Sequence, residues 1–160
     1  MAPHLLGGDQ EKGRRASTSN VAGAVGLAKA IQICQEKMAG EITQQRRLRD
    51  QIIDGVRTTI DGVIVNGHPT ERLSNNAHFS FKGVQGEALL LSLDMAGIAA
   101  SMGSACTSGA LEPSHVLRAI GLSDPLAMGS LRITVGRWTT ENHVEYFLKQ
   151  LPEMVRRLRI

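Results

Sequence analysis

The stretch "SLRITV", residues 130–135, sets the fold class. Leu131, Ile133 and Val135 face one way, while Ser130, Arg132 and Thr134 face the other. Strict alternation of this kind belongs to a strand with one face on a core and one face left polar. Ala77, Phe79 and Phe81 alternate with His78, Ser80 and Lys82 in the same way, which predicts a second half-buried strand with His78 on its polar, partly exposed side. Val63-Ile64-Val65 reads as a shorter strand, stopped by Asn66-Gly67-His68-Pro69. Ile98-Ala99-Ala100 reads as one more short strand.

Around the strands the period changes to that of helices. Val21, Val25, Ala28, Ile31, Cys34, Met38, Ile42, Leu48, Ile52 and Val56 recur at steps of three and four, with a gap at Gln45. They predict one long helix ending near Val56, with Gly40 as its weak point. The polar run Ser17-Thr18-Ser19-Asn20 before it is rich in residues whose side-chain oxygens cap helices. Cys34 lies on the apolar stripe and reads as a buried small hydrophobe. Residues 85–96 predict a helix closed by Gly97, and "EPSHVLRAIG" a short helix with Pro113 near its first turn. Ser123-Asp124-Pro125 starts another short turn of helix. The last helix begins near Thr139-Thr140, with Val144, Phe147, Leu148, Leu151, Val155 and Leu158 inward and a bend expected at Pro152. Residues 1–19 read as irregular. The order predicts an α+β domain, a small mixed sheet covered by helices.

Composition narrows the function classes. The chain has 160 residues, ordinary for one domain, and 42% of them are hydrophobic, enough for a real core. Aromatic residues are only 3%, so the core is aliphatic and a stacking platform for single-stranded nucleic acid is not expected. The net charge is +3, much of it in Arg46-Arg47-Leu48-Arg49 and Arg156-Arg157-Leu158-Arg159, which read as solvated helix faces. No apolar run approaches the ~20 residues of a membrane span, so no membrane partner is expected. Cys34 and Cys106 are too few for a disulfide framework, and a reducing, cytoplasmic setting follows as the default. There is no Cys-x-x-Cys and no Cys/His zinc spacing, so no metal site is expected.

Cys106 is the first candidate for chemistry. It sits in "SMGSACTSGALEPSHVL", residues 101–117, among Gly, Ser, Thr and Ala. A thiol attacks only as thiolate and only where it can be reached, and a loop of small residues gives reach. The segment fits a thiol that picks something up at one place and delivers it at another; an incidental surface cysteine fits it too. His115 is placed to orient the thiol or simply to sit on a helix surface. Arg132 is the second candidate. A guanidinium on the polar face of a strand suits a planar carboxylate, which it binds through two parallel hydrogen bonds, or else a surface ion pair.

These segments together resemble one family. "GSACTSGALEPSHVLRAIGL" is similar to the cysteine loop of the NifS/IscS-type cysteine desulfurases, pyridoxal-phosphate (PLP) enzymes of the class V aminotransferase group. "SNNAHFSFKGVQGEALLLSLDMAGIAASMGSACTSG" resembles the family's segment before that cysteine, and "GSLRITVGRWTTENHVEYFLKQLPEMVRRLR" its C-terminal strand and helix. "GGDQEKGRRASTSNVAGAVGLAKA" resembles its GGGQE-x-G-x-R-x-GT-x-N segment. The long cysteine loop is closer to the IscS/NifS branch than to the SufS branch, and it speaks against a selenocysteine lyase.

The resemblance implies the small domain of a fold-type I PLP enzyme, with residues 20–160 forming that C-terminal domain and residues 1–19 the edge of the large one. It implies conversion of L-cysteine to L-alanine, the cofactor serving as electron sink. Cys106 is then the nucleophile that keeps the sulfur as a persulfide and passes it to an acceptor such as an iron–sulfur scaffold protein. Arg132 matches the arginine that binds the substrate carboxylate. Thr18 matches the threonine that reaches a PLP phosphate across a homodimer. Two departures stand out, Asp9 and Ser17 where the family has glycine. None of Lys12, Lys29, Lys37, Lys82 and Lys149 lies in the family's S-x-H-K context, and the large domain's histidine and aspartate have no counterpart here. The expectation is a C-terminal portion of a desulfurase, inactive alone. A stand-alone sulfur carrier and an inactive, self-associating fragment are the alternatives.

Overall fold

The computed structural model describes residue 4, residues 6–102 and residues 112–159. The chain divides into two compact units, Met1–Ala39 and Gly40–Ile160. The first holds a two-stranded antiparallel hairpin, β1 (Asp9–Gln10) and β2 (Arg15–Ala16), and the start of α1 (Val21–Thr59). Residues 9–16 form this hairpin although the sequence predicts residues 1–19 to be irregular. The hairpin is too short for a period to register, and its turn is made by local backbone instead, with Glu11, Lys12 and Gly13 all at positive φ. Asn20 caps α1, its Oδ1 accepting from the Gly23 N–H at 2.8 Å. The helix runs through Gly40 to Thr59.

The second unit is built on a three-stranded antiparallel sheet in the order β3 (Val63–Val65), β4 (Asn76–Phe81), β5 (Ser130–Thr134). Every pairing is antiparallel, where the sequence had pointed to a mixed sheet. Residues 66–75 reverse the chain between β3 and β4. Three short helices then return it to the far end of β4: α2 (Gly86–Met95), α3 (His115–Ala119) and α4 (Asp124–Met128). Ile98-Ala99-Ala100 is not a strand. Among the described residues that follow α2, Ser101 reaches the sheet through an isolated bridge to Arg132.

The apolar strand face and three helices close on one core. Ala77, Phe79 and Phe81 of β4 lie beside Leu131 and Ile133 of β5, against Leu48, Ile52 and Val56 of α1. Leu89 and Leu93 of α2 meet Val144, Phe147, Leu151 and Val155 of α5 (Glu141–Leu158) in the same cluster. Phe79 and Phe81 are fully buried with ring centroids 6.1 Å apart. Each such side chain stabilises the fold by about 1.5–3 kcal/mol through burial. Thr140 caps α5 in a reciprocal box with His143, and the helix continues past Pro152.

Two residues of α1 differ from their expected burial. Cys34 is exposed, as are Val21, Val25, Leu27, Ile31 and Met38, while Leu48, Ile52 and Val56 are buried. The stripe is continuous, but only its last turns meet the sheet. Arg49, read as part of a solvated cluster, is buried at 6% exposure. It pairs with Asp50 and donates to the Leu73 carbonyl at 2.8 Å, so its charge and its donors are both matched.

Gly129, between α4 and β5, lies against the backbone: an added Cβ would stand 2.6 Å from the carbonyl oxygens of Phe81 and Val84. Neither carbonyl can rotate away as a side chain would. Gly129→Ala is expected to lower stability by about 1–3 kcal/mol, read as a reduced urea midpoint with unchanged slope.

Candidate functional site

The polar face of the sheet carries Asn76, His78 and Ser80 on β4 and Ser130, Arg132 and Thr134 on β5. Register sets His78 directly opposite Arg132, and Asn76 opposite Thr134. Arg132 is fixed through its backbone and its side chain. Its N–H donates to the Ser101 carbonyl at 2.7 Å and its carbonyl accepts from the Ser101 N–H at 3.2 Å. Its Nη2 donates to Ser101 Oγ at 3.1 Å. The Ser101 hydroxyl in turn donates to the Met102 carbonyl at 2.9 Å.

Arg132 opens onto a cleft of about 420 Å³ lined by Leu73, Asn75, Asn76, Ala99, Ala100, Ser101 and Thr134. It is only partly exposed, yet it forms no ion pair among the described residues. A half-buried guanidinium without a carboxylate beside it is a demand for an anion. Its planar fork favours a carboxylate bound through two hydrogen bonds.

His78 lies behind this group. Asn66 Nδ2 sits 2.8 Å from its Nδ1 and donates to Ser80 Oγ at 2.9 Å. Arg72 holds Asn66 in turn, donating to its carbonyl at 3.0 Å. Burial, and then the charge of Arg132, push the His78 pKa down to about 4. The ring is therefore neutral near pH 7. The alternation in the sequence places His78 on a polar face but carries no signal for this partnership, because Asn66 and Arg132 meet it only through the pairing of separate segments.

Thr18 stands in a different unit from Arg132. It is exposed, in the loop just before the Asn20 cap of α1. Arg15 ties that loop together, donating to Glu11 Oε1 at 2.7 Å and to Ser19 Oγ at 2.6 Å. Ser17, which departs from the resembled family's glycine, has φ 71°, the left-handed region that favours glycine. Cys106 lies outside the described residues. His115, its sequence neighbour, is exposed at the start of α3.

Residues 5–147 match the family Aminotransferase class-V. The chain belongs to that family. It is 48% identical over 157 residues to "Cysteine desulfurase 2" of Trichormus variabilis, covering 98% of this chain and 39% of that protein. It is 48% identical over 159 residues to "Cysteine desulfurase IscS 1" of Archaeoglobus fulgidus, covering 99% of this chain and 41% of that one. A solved "NIFS-LIKE PROTEIN" superposes with a TM-score of 0.81 at 31% identity, over 99% of this chain and 40% of its own. The chain thus spans about two fifths of the length of these relatives. Among the described residues, no helix is long and apolar enough to cross a membrane.

The depressed His78 pKa has a consequence for stability. An unfolded histidine titrates near 6.5, so between that pH and about 4 the unfolded chain binds a proton that the folded chain refuses. Stability from this group is complete above pH 6.5 and is lost as pH falls toward 4. After allowance for the part of the ring open to solvent, the loss is about 2 kcal/mol. The stability gap between wild type and His78→Gln is expected to narrow by that amount from pH 7 to pH 4 in urea unfolding; a constant gap would show that the ring is not buried neutral.

Proposed function

We propose that this chain provides the substrate-carboxylate site and the sulfur-accepting cysteine of a PLP-dependent cysteine desulfurase. The observation that carries the reading is the half-buried Arg132 guanidinium, unpaired with any carboxylate among the described residues and open to a cleft. L-cysteine is the ligand whose carboxylate it would hold. The family membership and the cysteine desulfurases among the relatives support that choice. Cys106, in "GSACTSG", is the residue that would take the sulfur as a persulfide and pass it to an acceptor such as an iron–sulfur scaffold protein.

The described residues do not by themselves fit PLP. The cofactor supplies an electron sink when bound and needs an amine for its Schiff base. The cleft contains no lysine and no aromatic ring, and all five lysines of the chain are exposed. In this reading the cofactor's lysine belongs to sequence beyond this chain. Thr18 would reach the cofactor's phosphate in a second copy, within a homodimer. The isolated chain then holds PLP poorly and releases no alanine.

A chimera tests the reading. When this chain replaces the matching stretch of the Archaeoglobus fulgidus relative, the hybrid is expected to release alanine from L-cysteine in the presence of PLP. Cys106→Ala should abolish turnover, and Arg132→Ala should raise KM for L-cysteine about 100-fold, the loss of a charge-assisted pair of hydrogen bonds. Turnover that survives Cys106→Ala would refute the assignment.

A further inference from the structure

On the polar face of the sheet, Nε2 of His78, Oδ1 of Asn76 and Oγ of Ser130 are buried without a hydrogen-bond partner among the described residues, and the first two belong to neighbouring positions of one strand. His78 and Asn76 are two apart on β4, so their side chains stand next to each other on one face. Asn66 Nδ2 donates to Nδ1 of His78, which makes Nδ1 the acceptor and leaves the ring proton on Nε2. A donor and an acceptor thus occupy neighbouring positions on one face, with no hydrogen bond between them. Pairing the two would fix the Asn76 amide with its oxygen inward, a choice that is otherwise ambiguous for an asparagine. The other end, Nδ2, is neither buried without a partner nor bonded to any described residue, and Asn76 lines the Arg132 cleft. Asn76 lies opposite Thr134, hence diagonal to Arg132 on the same face, a separation that long side chains span.

We infer that Asn76 is a second carboxylate-binding residue of the Arg132 cleft, its Nδ2 donating to an oxygen of the carboxylate that the guanidinium holds. His78 acts through Asn76 as a positioning residue. Its Nε2–H would donate to the amide oxygen and so keep the amide nitrogen toward the cleft. The neutral state of the ring suits this role, because a proton added at Nδ1 would oppose the Asn66 amide group. The charged groups on the surrounding segments leave the arrangement intact. Arg132 on β5 faces the cleft, Arg72 donates to the Asn66 carbonyl, and Asp124 at the start of α4 is held by Arg118 through two hydrogen bonds. The ligand class is an amino acid carboxylate, gripped by a guanidinium on one side and a primary amide on the other. This rests on the carboxylate reading of Arg132.

The experiment is an NMR titration of the 160-residue chain with L-alanine, following the Arg132 Nε–H and the Asn76 side-chain NH₂. Wild type is expected to show saturable shifts of both groups with one dissociation constant. Asn76→Ala should weaken binding about tenfold, the loss of one hydrogen bond to a charged group. Asn76→Asp should abolish it, because the new carboxylate would occupy Arg132. If Asn76→Ala binds as wild type does while Arg132→Gln does not bind, the inference is wrong and the carboxylate reading stands. If wild type shows no saturable shift, the carboxylate reading falls and the inference with it. Should Asn76→Ala fail to fold, Asn76→Ser takes its place, and an Asn76 NH₂ signal that ignores L-alanine in wild type overturns the inference on its own.

Discussion

The pairing of β4 with β5 is the constraint on which the rest depends. In the observed register Ala77 and Phe79 meet Ile133 and Leu131 on one face, while His78 meets Arg132 on the other. Because side chains alternate, a slip of one residue would carry Arg132 into the core beside Phe79 and turn Leu131 out to solvent. The cost of burying an unmatched guanidinium excludes that arrangement. Packing of a few apolar side chains thus places a cation on the outer face, and the functional reading follows from where that cation ends up.

The same strand ties the site to the cysteine segment. Ser101 is joined to Arg132 by two backbone hydrogen bonds and one between side chains, and it stands five residues before Cys106. The chain entering the loop is therefore anchored on the residue proposed to hold the substrate carboxylate. At the other side of the loop, Ser114 is buried and Arg118 is paired with Asp124 across α3 and α4. The described residues on either side of positions 103–111 are thus both held within the second unit.

The first unit follows a different logic. Its hairpin buries little, and it depends on local devices: positive φ at Glu11, Lys12 and Gly13, and the arginine at position 15 bonded to Glu11 and Ser19. Ser17 keeps a left-handed backbone despite having a side chain, at a cost of about 1 kcal/mol relative to glycine. The neighbouring Arg15 offsets it by donating to the Ser17 carbonyl.

Much of the fold was legible because its signals are local. The alternation in "SLRITV" and "AHFSF" marks β5 and β4, and the three-and-four spacing marks α1 and α5, since side-chain periodicity reflects the backbone of one segment alone. Arg132 could be singled out for the same reason, as a charge at a polar position of a half-buried strand. Other features were not legible. That Cys34 is exposed and Arg49 buried depends on which turns of α1 meet the sheet. That His78, Asn76 and Ser101 gather around Arg132 depends on strand register and on one isolated bridge. Sequence by itself determined which segments are helix and strand and which face of each is apolar. Only the tertiary structure decided which polar residues share a cleft and which charges lack a partner there, because contact and desolvation arise between segments far apart in the chain.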